Sequence, residues 1–158
     1  MLGLAISTVV ACQDAAPVLI LVDDRQSANI YLPAGTTDPI RLAVDDLRSD
    51  IAKITGKQLL VSEKLDTTAL QVLVFNLADE AQRSEAVQLH PDLDTLLGKW
   101  EEYVVQNVSF SGKQHLLMAG SDERATMFAI YHFLEEYLGI DPTYYWSGLE
   151  PAKREQLA

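Results

Sequence analysis

Apolar and polar positions along the chain follow two periods, one typical of helices and one typical of strands. The clearest helical stretch runs from Asp38 to Gly56. Asp38 is a good N-cap residue, Pro39 suits the first helical position, and Gly56 can end the helix in a left-handed conformation. Apolar side chains recur within it every three to four residues and predict one buried stripe. They are Ile40, Ala43, Val44, Leu47, Ile51 and Ile54.

A second long helix is predicted near the C-terminus. Either Ser121 or Asp122 can accept a hydrogen bond from a first-turn N–H and act as its N-cap. Gly139 can end the helix, and Pro142 prevents its continuation. The apolar face of this helix is predicted to consist of Met127, Ile130, Tyr131, Leu134 and Leu138.

Short runs rich in β-branched residues predict five or six strands. Val18–Val22 and Asn29–Leu32 are predicted to form an N-terminal hairpin, and Leu70–Phe75 to form the central strand. A further strand is predicted at Gln58–Val61. The last two, Trp100–Phe110 and Gln114–Ala119, are predicted to form a hairpin with its turn at Ser111–Lys113. A weak helix is predicted at Ala78–Val87, and a helical turn at Leu93–Leu97 is interpreted as an insertion at the sheet edge. The order β-β-α-β-β-(α)-β-β-α predicts an α+β fold, namely a two-layer sandwich with a mixed sheet of five to six strands and two main helices on one face.

Length and charge limit the classes of function. A chain of 158 residues fits one domain with tails. Its formal net charge of -11 would repel a phosphate backbone, so we expect no nucleic-acid partner.

The first twelve residues form a separate region. Leu2–Ala11 is apolar but too short to span a bilayer, which needs about 20 apolar residues. It is typical of a signal segment, and Val9-Val10-Ala11-Cys12 resembles a bacterial lipobox in which Cys12 would carry lipid. This interpretation predicts an exported lipoprotein of the periplasm or outer membrane, bound to the membrane only through the lipid, with residues 13–17 as a tether. The alternative is a first strand with a buried free cysteine.

The sequence contains no recognisable catalytic, cofactor-binding or metal-binding set. It has no GxGxxG, Walker A, GxSxG or HExxH motif. Its single cysteine excludes an internal disulfide and a CxxC site. His90, His115 and His132 lack the spacing of metal ligands. Adjacent acidic pairs such as Glu101-Glu102 are interpreted as solvated or paired with Arg124 or lysines. Asp122 and Arg124 are interpreted as a cap and an ion pair that fix the last helix to the strand before it. We therefore predict no catalytic residue, no cofactor and no metal.

One stretch resembles a known family. Gly120-Ser121-Asp122-x-Arg124-x-Thr126, followed by Leu138-Gly139-Ile140-x-Pro142 and Tyr144-Tyr145-Trp146, is similar to the end of the N-terminal domain of family 115 glycoside hydrolases, the xylan α-glucuronidases. Related domains precede the barrel in family 67 α-glucuronidases and in bacterial β-hexosaminidases, with the domain-2-like fold of chitobiase. The resemblance implies that residues 18–146 form this domain, that 147–158 are a linker, and that the catalytic carboxylates lie in a downstream barrel.

Two interpretations of Tyr144, Tyr145 and Trp146 follow. They could stack on a sugar, or they could pack this domain against the one that follows. The corresponding functional hypotheses are a non-catalytic domain of a larger glycoside hydrolase that degrades polysaccharide, and a stand-alone lipid-anchored module for carbohydrate binding or interaction. An enzyme complete in itself is a third hypothesis, although the chain offers no convergent catalytic set.

Overall fold

The run Leu70–Phe75 lies in the middle of the sheet, as its composition predicted. In the computed structural model, which describes residues 19–148 and 150–157, this strand is β3 (Gln71–Asn76) and all six of its residues are buried. The predictions for the signal segment and the tether lie outside the described residues. A strand buried on both faces needs covering layers on both sides, and the helices supply them.

The sheet has five strands in the order β2-β1-β3-β5-β4, so the predicted mixed α+β sheet is confirmed. The other four strands are β1 (Asn29–Tyr31), β2 (Val61–Ser62), β4 (Tyr103–Phe110) and β5 (Lys113–Gly120). Three neighbouring pairs are parallel, and only β4 with β5 is antiparallel. The β4–β5 hairpin forms as predicted, but its turn has two residues rather than three, because Lys113 pairs with Phe110. The turn residues Ser111 and Gly112 both have positive φ.

The prediction that β1 forms a hairpin with the segment before it is wrong. Val22 makes an isolated antiparallel bridge with Ser27, but β1 pairs in parallel with β2 and β3 and not with the segment before it. The reason is the helix between β1 and β2, which returns the chain in the same direction and so allows a parallel neighbour.

The two main helices lie on one face of the sheet, as predicted. They are α1 (Asp38–Thr55) and α3 (Glu123–His132), and the latter continues as a π-helical turn over Phe133–Tyr137. Their buried apolar side chains form one cluster with Ile30, Val72, Val74, Leu116 and Met118 of the strands. Burying each such aliphatic side chain contributes about 1.5–3 kcal/mol, so this layer supplies much of the stability.

The opposite face of the sheet is also covered, which the sequence analysis did not predict. Helix α2 (Glu80–Leu89) and a 3-10 helix (Pro91–Leu96) pack on Leu73 and Phe75 rather than beside the sheet edge. Ala86, Leu93 and Leu96 provide the contact. The weak periodicity of this segment hid its packing, because only a few small or widely spaced residues face the sheet.

The residues that cap the helices differ in part from those predicted. Thr37 occupies the N-cap position of α1 without a side-chain hydrogen bond, so Asp38 is the first helical residue rather than the cap. Gly56 ends α1 with φ 73°. Asp122, not Ser121, caps α3, and Gly139 with φ 63° follows its π-helical end.

The segment after the last predicted helix packs against the domain. A short helix, α4 (Tyr144–Ser147), is followed by residues that contact α1 and Val22 near the N-terminal end of the described chain. Arg154 N–H donates to the Ile54 carbonyl at 2.9 Å, and Leu157, which is buried, exchanges backbone hydrogen bonds with Val22. Within the stretch predicted as a linker, Arg154 and Leu157 are therefore bonded to the domain.

Candidate functional site

The motif that carries the family resemblance joins three parts of the fold. Asp122 Oδ1 accepts from Ala125 N–H at 2.8 Å and so caps α3, while its Oδ2 accepts from Glu101 N–H at 3.0 Å. Ser121 exchanges hydrogen bonds with the backbone of Glu102, through its own N–H and its Oγ. These contacts connect the start of α3 to the loop before β4.

Charged side chains reinforce the same connection. Arg124 Nη1 lies 2.9 Å from Glu101 Oε1, an ion pair without hydrogen-bond geometry, and Lys99 pairs with Glu102 at 2.7 Å. Arg124 therefore fixes α3 to the loop before β4 rather than to the strand that precedes the helix. Backbone donors from Ala125, Glu101 and Arg124 hold the pKa of Asp122 below its usual value, although burial opposes them.

Two further residues of the motif serve close packing. A Cβ at Gly120 would lie 2.1 Å from the backbone nitrogen of Thr126, so only glycine fits there. Thr126, which is fully buried, donates from Oγ1 to the carbonyls of Asp122 at 2.8 Å and Phe75 at 3.2 Å. These motif residues thus hold β3, β5 and α3 together.

The short helix α4 (Tyr144–Ser147), called here the exit turn, is held against α1 through its first aromatic residue. Tyr144 is buried, and its hydroxyl contacts the carboxylate of Asp50 and accepts from Lys53 Nζ at 2.6 Å. Lys53 also lies 4.8 Å from the centre of the Tyr144 ring and 3.3 Å from Asp50 Oδ1. The three side chains form one cluster, called here the Asp50 cluster, which fixes the exit turn to the domain. Tyr144 is not available to stack on a sugar.

The sequence analysis missed Asp50. This carboxylate is only 1% exposed, although the residues predicted for the buried stripe of α1 do not include it. Its position was a signal: Asp50 is three residues after Leu47 and four before Ile54, so it falls on the buried face. A carboxylate there requires partners, and the structure provides Tyr144 and Lys53.

Trp146 has the opposite environment from Tyr144. Its side chain is 88% exposed, more than that of the other large apolar residues in the described part of the chain. The side chain of Tyr145 and all of Cys12 lie outside what the structure describes, so the predicted sugar or domain contact of Tyr145 and the lipidation of Cys12 stay predictions. An exposed indole beside a fixed tyrosine is suited to contact with a sugar face or another domain.

An open cavity of about 820 Å³ adjoins the Asp50 cluster, at the end of α1. The C-terminal segment forms one of its walls. Cationic side chains contribute much of the lining: Lys53, Lys57, Lys153 and Arg154. They are interspersed with Asp24, Glu150 and Glu155, so the cavity is close to neutral on a strongly acidic protein.

The described part of the chain contains no group of three or more His, Cys, Asp or Glu side chains that could hold a metal. His115 is fully buried against Phe110 with ring centres 4.0 Å apart, and its Nδ1 accepts from Gln71 N–H. Burial lowers the pKa of His115, which keeps it neutral within the core. Within the described region, no helix is long and apolar enough to cross a membrane.

Comparisons with known proteins agree with this geometry at the level of fold. No protein-family model and no curated protein matches the sequence. Among solved structures, the chain matches a family GH115 4-O-methyl-α-glucuronidase with specificity for decorated arabinogalactans, with a TM-score of 0.72 and 22% identity. The match covers 89% of this chain and only 17% of that enzyme.

The chain therefore has the fold of one part of a much larger glucuronidase. That agrees with the resemblance seen around Gly120–Thr126. At 22% identity the likeness establishes the fold, and the activity of the whole enzyme does not pass to this chain with it.

Proposed function

We propose that this chain is the non-catalytic N-terminal domain of a larger carbohydrate-active glycoside hydrolase similar to family GH115, and that it supports a catalytic barrel that follows it. The observation that carries the proposal is the structural match, which spans most of this chain and a small part of the enzyme. The substrate class is polysaccharide that bears uronic acid, such as xylan.

The residues of the motif and the exit turn support a role in holding domains together. Ser121, Asp122 and Arg124 are bonded to neighbouring backbone and side chains, and catalysis needs groups that converge on an open site. Tyr144 fixes the exit turn to α1, which would transmit the orientation of this domain to the next. Trp146, exposed on the same turn, would pack on the barrel.

The test compares two proteins from the same reading frame: the 158-residue chain, and the chain extended by a few hundred codons past Ala158. We expect no release of uronic acid from glucuronoxylan or arabinogalactan by the short protein, and release by the extended one. Activity of the short protein would disprove the non-catalytic role. A stop codon after Ala158, or an inert and folded extension, would remove the barrel from the proposal.

The exposed indole favours one alternative, a stand-alone lipid-anchored module that binds carbohydrate or another protein. Trp146 offers an exposed aromatic face, and the lysines that line the cavity at the end of α1 could pair with uronate carboxylates. Calorimetric titration with glucuronoxylan distinguishes the two: binding by the short chain that Trp146→Ala removes would favour the module, and no heat at millimolar sugar would favour the accessory domain.

The proposed location is the periplasm or outer membrane of a bacterium, through lipid on Cys12. Expression of the complete gene product in a bacterial host with labelled palmitate tests this directly. We expect label in the membrane fraction, and its loss in Cys12→Ser. Label that persists in Cys12→Ser, or an unlabelled wild type with an intact N-terminus, would contradict it.

A further inference from the structure

One edge of the sheet is long, uncharged and open. Strand β4 pairs with β5 through eight consecutive residue pairs, without a bulge. The two-residue turn makes Phe110 and Lys113 a hydrogen-bonded pair, and Ser121 N–H donates to Glu102 O at the other end. Because bonding direction alternates along an antiparallel strand, the even-numbered residues of β4 bond inward. The backbone N–H and C=O groups of the odd-numbered residues point away from the sheet; they are Tyr103, Val105, Asn107 and Ser109.

These outward groups have no protein partner among the residues that the structure describes. Native sheets commonly protect an edge with lysines, prolines, bulges or very short strands. The opposite edge follows this rule, because β2 has only two residues. In contrast, Tyr103–Phe110 has eight residues with no charge and no proline. Such an edge is suited to pairing with another extended strand.

We infer that β4 is a self-association surface, on which β4 of a second copy of this chain pairs antiparallel about a two-fold axis through Gln106. This register places Tyr103 opposite Ser109, and Val105 opposite Asn107, in each direction. All four outward residues of each copy then lie in hydrogen-bonded pairs, which gives eight backbone hydrogen bonds. A two-fold axis through any other residue of β4 leaves some of these groups without a partner.

The side chains are compatible with the same register. On the α2 face, Val104 of one copy lies opposite Val108 of the other, a β-branched pair that stabilises strand contacts. Gln106 meets Gln106 at the axis, where two amides can donate and accept in turn. The pairing brings no like charges opposite each other within the strand.

The charges at the ends of the strand are complementary. Glu102 of one copy would lie two strands, or about 10 Å, from Lys113 of the other, on the same face of the sheet. Glu102 already pairs with Lys99, and its side chain remains about half exposed toward this contact. Opposite charges at this distance attract each other across the interface at low salt.

The association is expected to be weak and reversible. Strand pairing alone buries less area than a standard stable interface of about 1,600 Å². Each copy also carries a net charge of -11, so the two molecules repel each other at long range. Salt screens that repulsion without affecting backbone hydrogen bonds, and dimer formation should therefore increase as ionic strength rises from about 0.02 to 0.3 M.

Sedimentation velocity of the full 158-residue chain, from about 10 μM to 1 mM, tests the surface and the register together. We expect a concentration-dependent dimer in the wild type. Gln106→Glu and Gln106→Lys should each dimerise about fivefold more weakly, because like charges then meet at the axis. An equimolar mixture of the two variants should restore dimer as the heterodimer. Gln114→Glu and Gln114→Lys, which make the same changes on the neighbouring strand away from the edge, should behave as wild type.

Three results would overturn the inference. The first is a wild type that remains monomeric at 1 mM and 0.3 M salt, as it would if another segment of the same chain covered β4. The second is a dimer unaffected by charge at Gln106, which would use another surface. The third is a mixture of the two charge variants that associates no better than each variant alone, which would exclude the two-fold register. Circular dichroism confirms that each variant is folded.

Discussion

The two stretches that carry the family resemblance have different roles in the structure. In Gly120–Thr126, the named polar groups are bonded to neighbouring backbone or side chains, and the glycine lies against backbone. In the exit turn, Tyr144 is buried while Trp146, two residues later, is 88% exposed. The comparison shows that a recognisable motif can consist of packing and capping requirements alone. The surface proposed for a partner lies instead at the exposed indole of Trp146.

The sharpest test of the first half of this comparison is Gly120→Ala. A Cβ there would lie 2.1 Å from Thr126 N and 2.5 Å from the Ala125 carbonyl carbon, both backbone atoms that cannot rotate away. We expect a loss of about 3 kcal/mol or more in the free energy of unfolding, measured by urea denaturation. Gly98→Ala is the control, since its Cβ meets open space and only its φ of 72° causes strain; we expect about 1–2 kcal/mol there. Equal losses would show that the close approach at Gly120 is unimportant.

The Asp50 cluster tests whether Tyr144 is held by specific bonds or only by its ring. Asp50→Ala leaves the buried Tyr144 hydroxyl without its carboxylate, and we expect a loss of about 2 kcal/mol in the free energy of unfolding. Tyr144→Phe removes the hydroxyl but leaves Lys53 beside Asp50, so its cost should be about 1 kcal/mol.

The double variant Asp50→Ala with Tyr144→Phe measures the coupling between the two side chains. We expect its loss to be smaller than the sum of the single losses by about 1 kcal/mol. Additive losses would mean that the hydroxyl and the carboxylate do not interact, so that Asp50 does not help to hold the exit turn.

The two capped helices allow a matched comparison of smaller effects. The Asp122 carboxylate accepts from Ala125 N–H in α3 and also from Glu101 N–H in the loop before β4. The Asp79 carboxylate accepts from Gln82 N–H at the start of α2. Asp122→Ala should therefore cost about 2 kcal/mol and Asp79→Ala about 1 kcal/mol in urea denaturation. Equal costs would indicate that the bond to Glu101 N–H contributes nothing.

The same carboxylate predicts a dependence on pH. The folded-state pKa of Asp122 is lowered, so its contribution to stability is present above the unfolded pKa of about 3.9 and is lost as pH falls through the folded value. Between pH 5 and pH 2.5 the wild type should lose more stability than Asp122→Ala does. Parallel curves for the two proteins would contradict this assignment.

The residues explain how much of the fold was predictable from sequence. The α1 stripe and the composition of β3 identified their elements because each depends on a local repeat. The parallel pairing of β1 depends instead on the position of β3, which lies far away in the sequence. No local pattern of residues encodes that position. The packing of α2 on the sheet was hidden for a similar reason, since few of its residues make the contact.

The candidate site was less predictable than the fold. Asp122 was identified as one of two caps because its role is local, whereas the partner of Arg124 lies 23 residues earlier in the chain, across a hairpin. The bonds of Asp50 to Tyr144 span 94 residues of sequence. Periodicity could show that Asp50 falls on a buried face, but it could not name the side chain that it meets.

The smallest expected effect on stability tests the second half of the comparison. Trp146→Ala should change the free energy of unfolding of the 158-residue chain by less than about 0.5 kcal/mol, because the indole contacts little within the domain. A loss above 2 kcal/mol would mean that Trp146 is part of the core and not a surface for a partner.

In a Trp100→Phe background, Trp146 is the sole tryptophan of the short chain, and its fluorescence reports its surroundings. Loss of acrylamide quenching when the chain is extended past Ala158 would identify a neighbouring domain as the partner, provided that tryptophans of the extension are replaced. Protection by glucuronoxylan in the short chain alone would identify a sugar instead.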